Sequence, residues 1–378
     1  MATAGSNQNL SSATTANRTQ HRSLFERILR IRPGEGYHVS VLFLQLFAIA
    51  GIFVLGRTVR DTLFLSRYTV AALPWMFVLY GVVSAAIVAL YGRFADRMPR
   101  STLLYATSAV GIASYLAVWL CVRAQVAWIY PFFYIWAEVV ANLFVVQFWT
   151  AAADFDFARE ARRLNATIGS ARPLGAIFFG FSTGTIVSWI GTEQLLALLV
   201  ALMVVVAACM YALRRQPSIY PAHPDAGRIH QWEEERLAHA QGYFRTLSLL
   251  ILVMFVTLTV GDYQFKIIAG SAYQEDALAQ FFSLFYGVVG TLSMAFQLLI
   301  TPRLLAKMGV GSALTVMPGV FGISSLALLA WPGLAAASAM KFADNGLQFT
   351  LHETTMQSLY APVSYTHLRA HETGRKLV

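Results

Sequence analysis

Apolar windows of about twenty residues recur along this chain, divided by shorter polar or charged stretches. They fall near residues 38–58, 70–91, 102–122, 127–152, 166–190, 194–213, 247–270, 279–301, 311–331 and 334–358. At about 1.5 Å of rise per helical residue, such a window crosses a hydrocarbon layer about 30 Å thick. Lipid offers no partners to backbone polar groups, so the windows predict ten membrane-spanning helices. The polar stretch from Arg214 to Arg245 divides them six and four, and its middle, Gln231 to Gln241, suits a short amphipathic surface helix. The pattern therefore predicts a tail over 1–36, a six-helix bundle over 37–213, a central loop over 214–246 and a second, four-helix bundle over 247–361. The tail is rich in Ser, Thr, Asn and Gln and lacks the apolar core of a signal peptide, so it reads as disordered and cytoplasmic.

The last residues read differently. Val363 to Thr373 runs Val-Ser-Tyr-Thr-His-Leu-Arg-Ala-His-Glu-Thr, which looks like the in-frame translation of a sequencing-library adapter. Residues 362–378 are set aside on that ground, His367 and His371 with them. The expectation is that the authentic chain continues past Ala361, with further spans and a regulatory domain as candidates for the continuation.

Composition narrows the class. The chain is 57% hydrophobic and 12% charged, which excludes an ordinary soluble domain. Its formal net charge is +9, and the basic residues are segregated by loop. Arg93, Arg97 and Arg100 follow the second span, Arg159, Arg162 and Arg163 the fourth, and Arg303 and Lys307 the eighth. The central loop holds Arg214, Arg215, Arg228, Arg236 and Arg245, while the opposite loops carry Arg123 and a cluster after the first span. This asymmetry predicts a multi-pass protein of the inner (cytoplasmic) membrane with its N-terminus in the cytoplasm. Nucleic acid is not an expected partner, because no aromatic residues interleave the charges. Cys121 and Cys209 lie in apolar windows without ligand spacing, and no metal or other cofactor is expected. Neither a phosphate-binding Gly-rich loop nor a nucleophile elbow occurs, so an enzyme is not expected either.

The two halves echo each other. Tyr80-Gly81-Val82-Val83 returns as Tyr286-Gly287-Val288-Val289, and Gly111-Ile112-Ala113-Ser114 as Gly322-Ile323-Ser324-Ser325. Between the second and third spans, Gly92-Arg93-Phe94-Ala95-Asp96-Arg97-Met98-Pro99-Arg100 resembles the loop signature of the major facilitator superfamily, with Phe94 and Pro99 as departures. Parallel six-helix repeats are that superfamily's build. The resemblance implies an all-α polytopic membrane protein, major facilitator-like in its two bundles, here truncated to about ten of twelve helices. It also gives Asp61, Asp96, Arg97 and Arg100 as candidates for gating contacts.

Charges inside the apolar windows are the candidate chemistry. Glu138 sits alone near the middle of the fourth span, where an acidic group costs about 2.5–3.5 kcal/mol on insertion scales. Asn142 lies one turn away. Arg57, Arg60 and Asp61 end the first span, and the four-residue spacing makes an Arg57–Asp61 pair available. Either they snorkel to the interface or they line a central cavity. Arg172-Pro173 predicts a cation and a kink in the fifth span. Asp262 and Lys266 share a face of the seventh, as a structural pair or a ligand site. Lys341, Asn345, Gln348 and His352, with Asp344 alongside, form a polar stripe on the tenth. Trp136 and Trp149 read as packing or interface residues.

These charges carry a further resemblance. Val59-Arg60-Asp61-Thr62-Leu63 resembles the first-span Lys-Asp-Thr-Leu motif of the ADP/ATP translocases of plastids and intracellular bacteria, with Arg60 for the lysine. Ala137-Glu138 followed by Gln147-Phe148-Trp149 is similar to that family's fourth span. Asp262 and Lys266 match its seventh span, and Phe349 to Glu353 with Tyr360-Ala361 its tenth. Met356-Gln357 stands where the family has Lys-Glu. The resemblance implies exchange of ATP for ADP without hydrolysis, with Arg60 and Lys266 binding phosphates and Glu138 and Asp262 as their state-dependent partners. Lys341 and His352 complete the candidate substrate site. A facilitator for another small organic anion, or a nucleotide-sensing membrane domain that does not transport, are the alternatives.

Overall fold

A computed structural model describes residues 36–95, 100–154, 168–214 and 241–347. It places ten helices among them: α1 (Gly36–Arg67), α2 (Leu73–Ala95), α3 (Arg100–Arg123), α4 (Ile129–Asp154), α5 (Ala171–Ile190), α6 (Leu195–Arg214), α7 (Gln241–Ala272), α8 (Glu275–Leu299), α9 (Thr301–Ala330) and α10 (Leu334–Leu347). Eight, α1 to α8, are long and apolar enough to cross a membrane. The apolar part of α9 is Thr315–Ala330, shorter than a full span, and α10 is described for 14 residues only.

Two helix boundaries differ from the sequence pattern, and both differences bear on the site. The first apolar window ends at residue 58, just past Arg57, yet α1 continues through Arg60 and Asp61 to Arg67. Hydropathy counts those charges as an exit from the membrane. Paired with one another inside the bundle, they let the helix run on buried. The fifth span starts at Ala171 after a turn at Ser170, so Pro173 falls in the first turn of α5. A first-turn N–H has no intrahelical partner to lose, so Pro173 is tolerated there, and the helical backbone is interrupted just before it, by the turn at Ser170 that separates residues 168–169 from α5.

Apolar side chains face outward and charges face inward. Trp189, Leu329 and Trp331 are more than 80% exposed, while Asp61 and Lys266 are essentially inaccessible. This inversion of a soluble protein's pattern suits a hydrocarbon surround. Helix α1 is the centre of the first half, packed on α4, α5 and α6. In the second half α10 packs on α7, α8 and α9.

The halves meet chiefly where α5 crosses α8. Gly180 and Gly287 form the crossing point, where a Cβ on Gly287 would lie 3.0 Å from the Phe181 nitrogen and 3.1 Å from the Gly180 carbonyl carbon. Only glycine permits that approach. Ser283 donates a hydrogen bond to the Gly180 carbonyl across it. The repeated tetrapeptides fall on corresponding helices: Tyr80 on α2 and Tyr286 on α8, Gly111 on α3 and Gly322 on α9.

Candidate functional site

Helix α1 delivers Arg57, Arg60 and Asp61 about 10–15 Å inward from its Arg67 end. From the first half α4 brings Glu138 to meet them; from the second, α7 brings Asp262 and Lys266 and α10 brings Lys341 and Asp344. The result is a chain of alternating charges. Arg57 Nη2 lies 3.0 Å from Glu138 Oε1, and Arg60 Nη1 lies 2.5 Å from Glu138 Oε2. Arg60 Nε reaches Asp61 Oδ1 at 3.2 Å, and the same oxygen lies 3.1 Å from Lys266 Nζ. Lys266 continues to Asp262 Oδ2 at 2.8 Å, Asp262 Oδ1 to Lys341 Nζ at 2.7 Å, and Lys341 to Asp344 Oδ2 at 2.6 Å. Along the chain each cation is followed by a carboxylate, and the Asp61–Lys266 pair carries it from one half to the other.

The expected Arg57–Asp61 pair is replaced by this network. Spacing puts the two on one face of α1, but Glu138 and Lys266 approach from facing helices and capture one partner each. Snorkelling of Arg60 and Asp61 is likewise ruled out, since Arg60 is 8% exposed and Asp61 fully buried. Asp262 and Lys266 do pair with each other, yet each also bonds a second ion. Asn142 donates to the Glu138 carbonyl at 2.9 Å and to Tyr80 Oη at 3.2 Å. Trp136 donates to Ser114, and Trp149 stands exposed, in keeping with packing and interface roles. Gln348, His352, Asp96, Arg97, Met356 and Gln357 lie outside the described residues. Arg100 opens α3.

The network lines a cavity of about 330 Å³ whose wall also holds Phe77, Tyr80, Tyr134, Phe255, Tyr286 and Asn345. The tyrosines are residues the charge reading missed. Lys266 Nζ donates to Tyr134 Oη at 2.8 Å, and the Arg60 guanidinium lies 4.9 Å from the Tyr134 ring. Tyr80 and Tyr286, the heads of one repeated tetrapeptide, face this cavity from opposite halves, so the repeat was their signal. Two polar atoms beside the network are buried without a partner, Asp61 Oδ2 and Arg57 Nε. Unsatisfied groups at membrane depth are expensive, and a bound molecule is one way to satisfy them. A larger groove of about 540 Å³ is lined mainly by Ile267, Ile268, Leu326 and Leu329 and carries no such chemistry.

A second cluster joins the halves at the Arg67 end of α1. Arg67 bonds Glu193, in the turn between α5 and α6, at 2.8 Å and Glu275, in the first turn of α8, also at 2.8 Å. Gln125 Nε2 reaches the same Glu193 oxygen at 3.3 Å, and Thr192 donates through both N–H and hydroxyl to Asp276. Gly191, directly before Thr192 and Glu193, has φ +79°, a backbone conformation that favours glycine. This clamp was also missed. Its signal was one basic residue and three acidic ones on otherwise short connections. The cavity wall runs away from it, from Tyr134 and Lys266 toward Asn142 and Phe255.

Among solved structures, the chain is similar to a D-xylose-proton symporter, with a TM-score of 0.50 and 15% identity over 84% of this chain and 80% of that one. The fold is major facilitator-like. At that identity the likeness is one of architecture. No family model matches the chain. No curated protein matches it either. The translocase resemblance therefore rests on its quoted motifs.

Proposed function

We propose that this chain is a membrane transporter that moves a phosphate-bearing anion, a nucleotide, by exchange and alternating access. The alternating chain of charges spanning both halves carries the reading. Cations at membrane depth are costly to keep, and Arg57 and Arg60 converge on one carboxylate much as they would on a phosphate. Lys266 and Lys341 supply two more cations from the second half. A nucleotide's phosphates bridging Arg60 and Lys266 would replace the Asp61 link between halves, coupling occupancy to their relative position. Differential binding to the two positions is what a transport cycle needs. With the N-terminus cytoplasmic, as the loop charges favour, the Arg67 clamp lies on the outer side and the cavity faces inward.

The test is uptake of labelled ADP into proteoliposomes loaded with ATP. Exchange is expected, slowed when Glu138→Gln removes the carboxylate that competes for the arginines. Folded protein that exchanges no nucleotide contradicts the proposal. One observation favours a smaller anion as the second reading: the four cations are already matched by Glu138, Asp61, Asp262 and Asp344. Uptake of a small carboxylate or phosphate that nucleotides do not inhibit would select it.

A further inference from the structure

Two pairs of helices repeat the site's positions with the charges exchanged. Arg57 and Asp61 of α1, four residues apart, answer to Asp262 and Lys266 of α7. Glu138 and Asn142 of α4 answer to Lys341 and Asn345 of α10. The bonds repeat too: Arg57 meets Glu138 at 3.0 Å, and Asp262 meets Lys341 at 2.7 Å. In this register Arg60 falls on Phe265, Tyr134 on Ala337 and Asp344 on Ala141. Arg60 and Tyr134 are therefore the first half's own, and they touch: the Arg60 guanidinium lies 4.9 Å from the centre of the Tyr134 ring. What both halves share serves their common scaffold, whereas a substrate with unlike ends needs what one half has by itself.

Lys266 is enclosed. Three oxygens lie within 3.1 Å of its Nζ: Asp61 Oδ1, Asp262 Oδ2 and Tyr134 Oη. An ammonium has three N–H groups, so none is left over. The centres of the Phe77 and Tyr134 rings lie 5.4 and 5.2 Å from Nζ, and the residue is 1% exposed. An incoming anion therefore first meets Lys266 through one of these partners, and the two carboxylates repel it. The Tyr134 hydroxyl is neutral and stands in the cavity wall. It accepts from Lys266, and its own proton has no acceptor among the described residues. A hydroxyl that accepts from a cation in a low-dielectric site is polarised into a stronger donor. We infer that the Tyr134 hydroxyl is a direct ligand of the anion, accepting a hydrogen bond from Lys266 and donating one to an anionic oxygen beside Arg60. No covalent bond changes and no proton is transferred. This rests on the anion reading above and adds to its cations a neutral donor on α4, between Arg60 of α1 and Lys266 of α7.

The experiment is calorimetric titration of the purified, detergent-solubilised chain with ADP and, separately, with inorganic pyrophosphate. Tyr134→Phe keeps the ring under Arg60 and deletes the hydroxyl. A hydrogen bond to a charged group corresponds to roughly tenfold to a hundredfold in affinity, so Kd should rise at least about tenfold for both ligands. Tyr115→Phe makes the same deletion on a buried α3 tyrosine outside the cavity wall, and it should bind as wild type. Where Tyr134→Phe fails to fold, Tyr134→4-fluorophenylalanine fills the hydroxyl's space without a donor, and the same rise in Kd is expected. Thermal midpoints are measured alongside: a hydroxyl that merely steadied Lys266 would lower the midpoint and leave Kd unchanged. Unchanged or tighter binding by the Tyr134 variant, or an equal loss in Tyr115→Phe, overturns the inference and leaves the anion site standing. Wild type that binds pyrophosphate but not ADP overturns the nucleotide reading, and the comparison is then made on pyrophosphate. Folded wild type that binds neither overturns the anion reading and this inference together.

Discussion

Lys266 joins the two halves of the charge network, bonding Asp61 of α1, Asp262 of its own helix and the Tyr134 hydroxyl of α4. Removing one member of a buried ion pair typically costs about 3–5 kcal/mol, because the other charge is left uncompensated. Lys266→Met should therefore lower stability by about that amount in denaturant unfolding. Adding Asp61→Asn should restore part of the loss, since the two residues share a bond and cannot act additively. A change below about 1 kcal/mol for the single variant would mean that water, rather than Lys266, satisfies these carboxylates. Much of this was readable in the sequence: Glu138, Asp262, Lys266 and Lys341 stood out as charges in apolar windows, and Arg60 as one at the end of the first span. Who pairs with whom was not. Helical spacing gives neighbours on one helix, and the Glu138 and Lys266 contacts come from residues 81 and 205 positions away from their α1 partners Arg57 and Asp61.

Helix ends and crossings decide how the elements move. At the α5–α8 crossing, Gly287→Val would force side-chain atoms into the α5 backbone. Overpacking of this kind costs about 1–3 kcal/mol, and here it should also hold the halves apart. The expected outcome is a lowered thermal midpoint, with Gly287→Ala less affected than Gly287→Val. The clamp around Arg67 makes a second prediction. With Cys121 and Cys209 replaced by alanine, a single cysteine at the buried position Phe64 reports opening at that end. Arg67→Ala removes the bonds to both Glu193 and Glu275 and should speed labelling of that cysteine by an impermeant maleimide. Unchanged labelling would show that the clamp does not hold the end shut. The existence of these helices was legible in hydropathy. The length of α1 and the start of α5 were not, because hydropathy scores a charge without knowing its partner.

For the whole molecule, the tetrapeptide repeat falls on α2 and α8 and on α3 and α9. A cavity between halves follows from that arrangement, and the charges that line it come from both. The order of the chain, Arg57–Glu138–Arg60–Asp61–Lys266–Asp262–Lys341–Asp344, exists only once the halves are assembled. The central claim is that this chain of charges is where an anion binds and is carried. Arg60 is its most direct test, since it touches both Glu138 and Asp61. A hydrogen bond to a charged group contributes about 1.5–3 kcal/mol, or roughly tenfold to a hundredfold in affinity. The measurement is uptake of labelled ADP into ATP-loaded proteoliposomes by wild type, Arg60→Lys and Arg60→Gln, with folding checked for each. The account predicts that Arg60→Gln loses at least about tenfold in ADP affinity, and that Arg60→Lys, which keeps the charge without the fork, falls between. Uptake by Arg60→Gln at the wild-type level would contradict it.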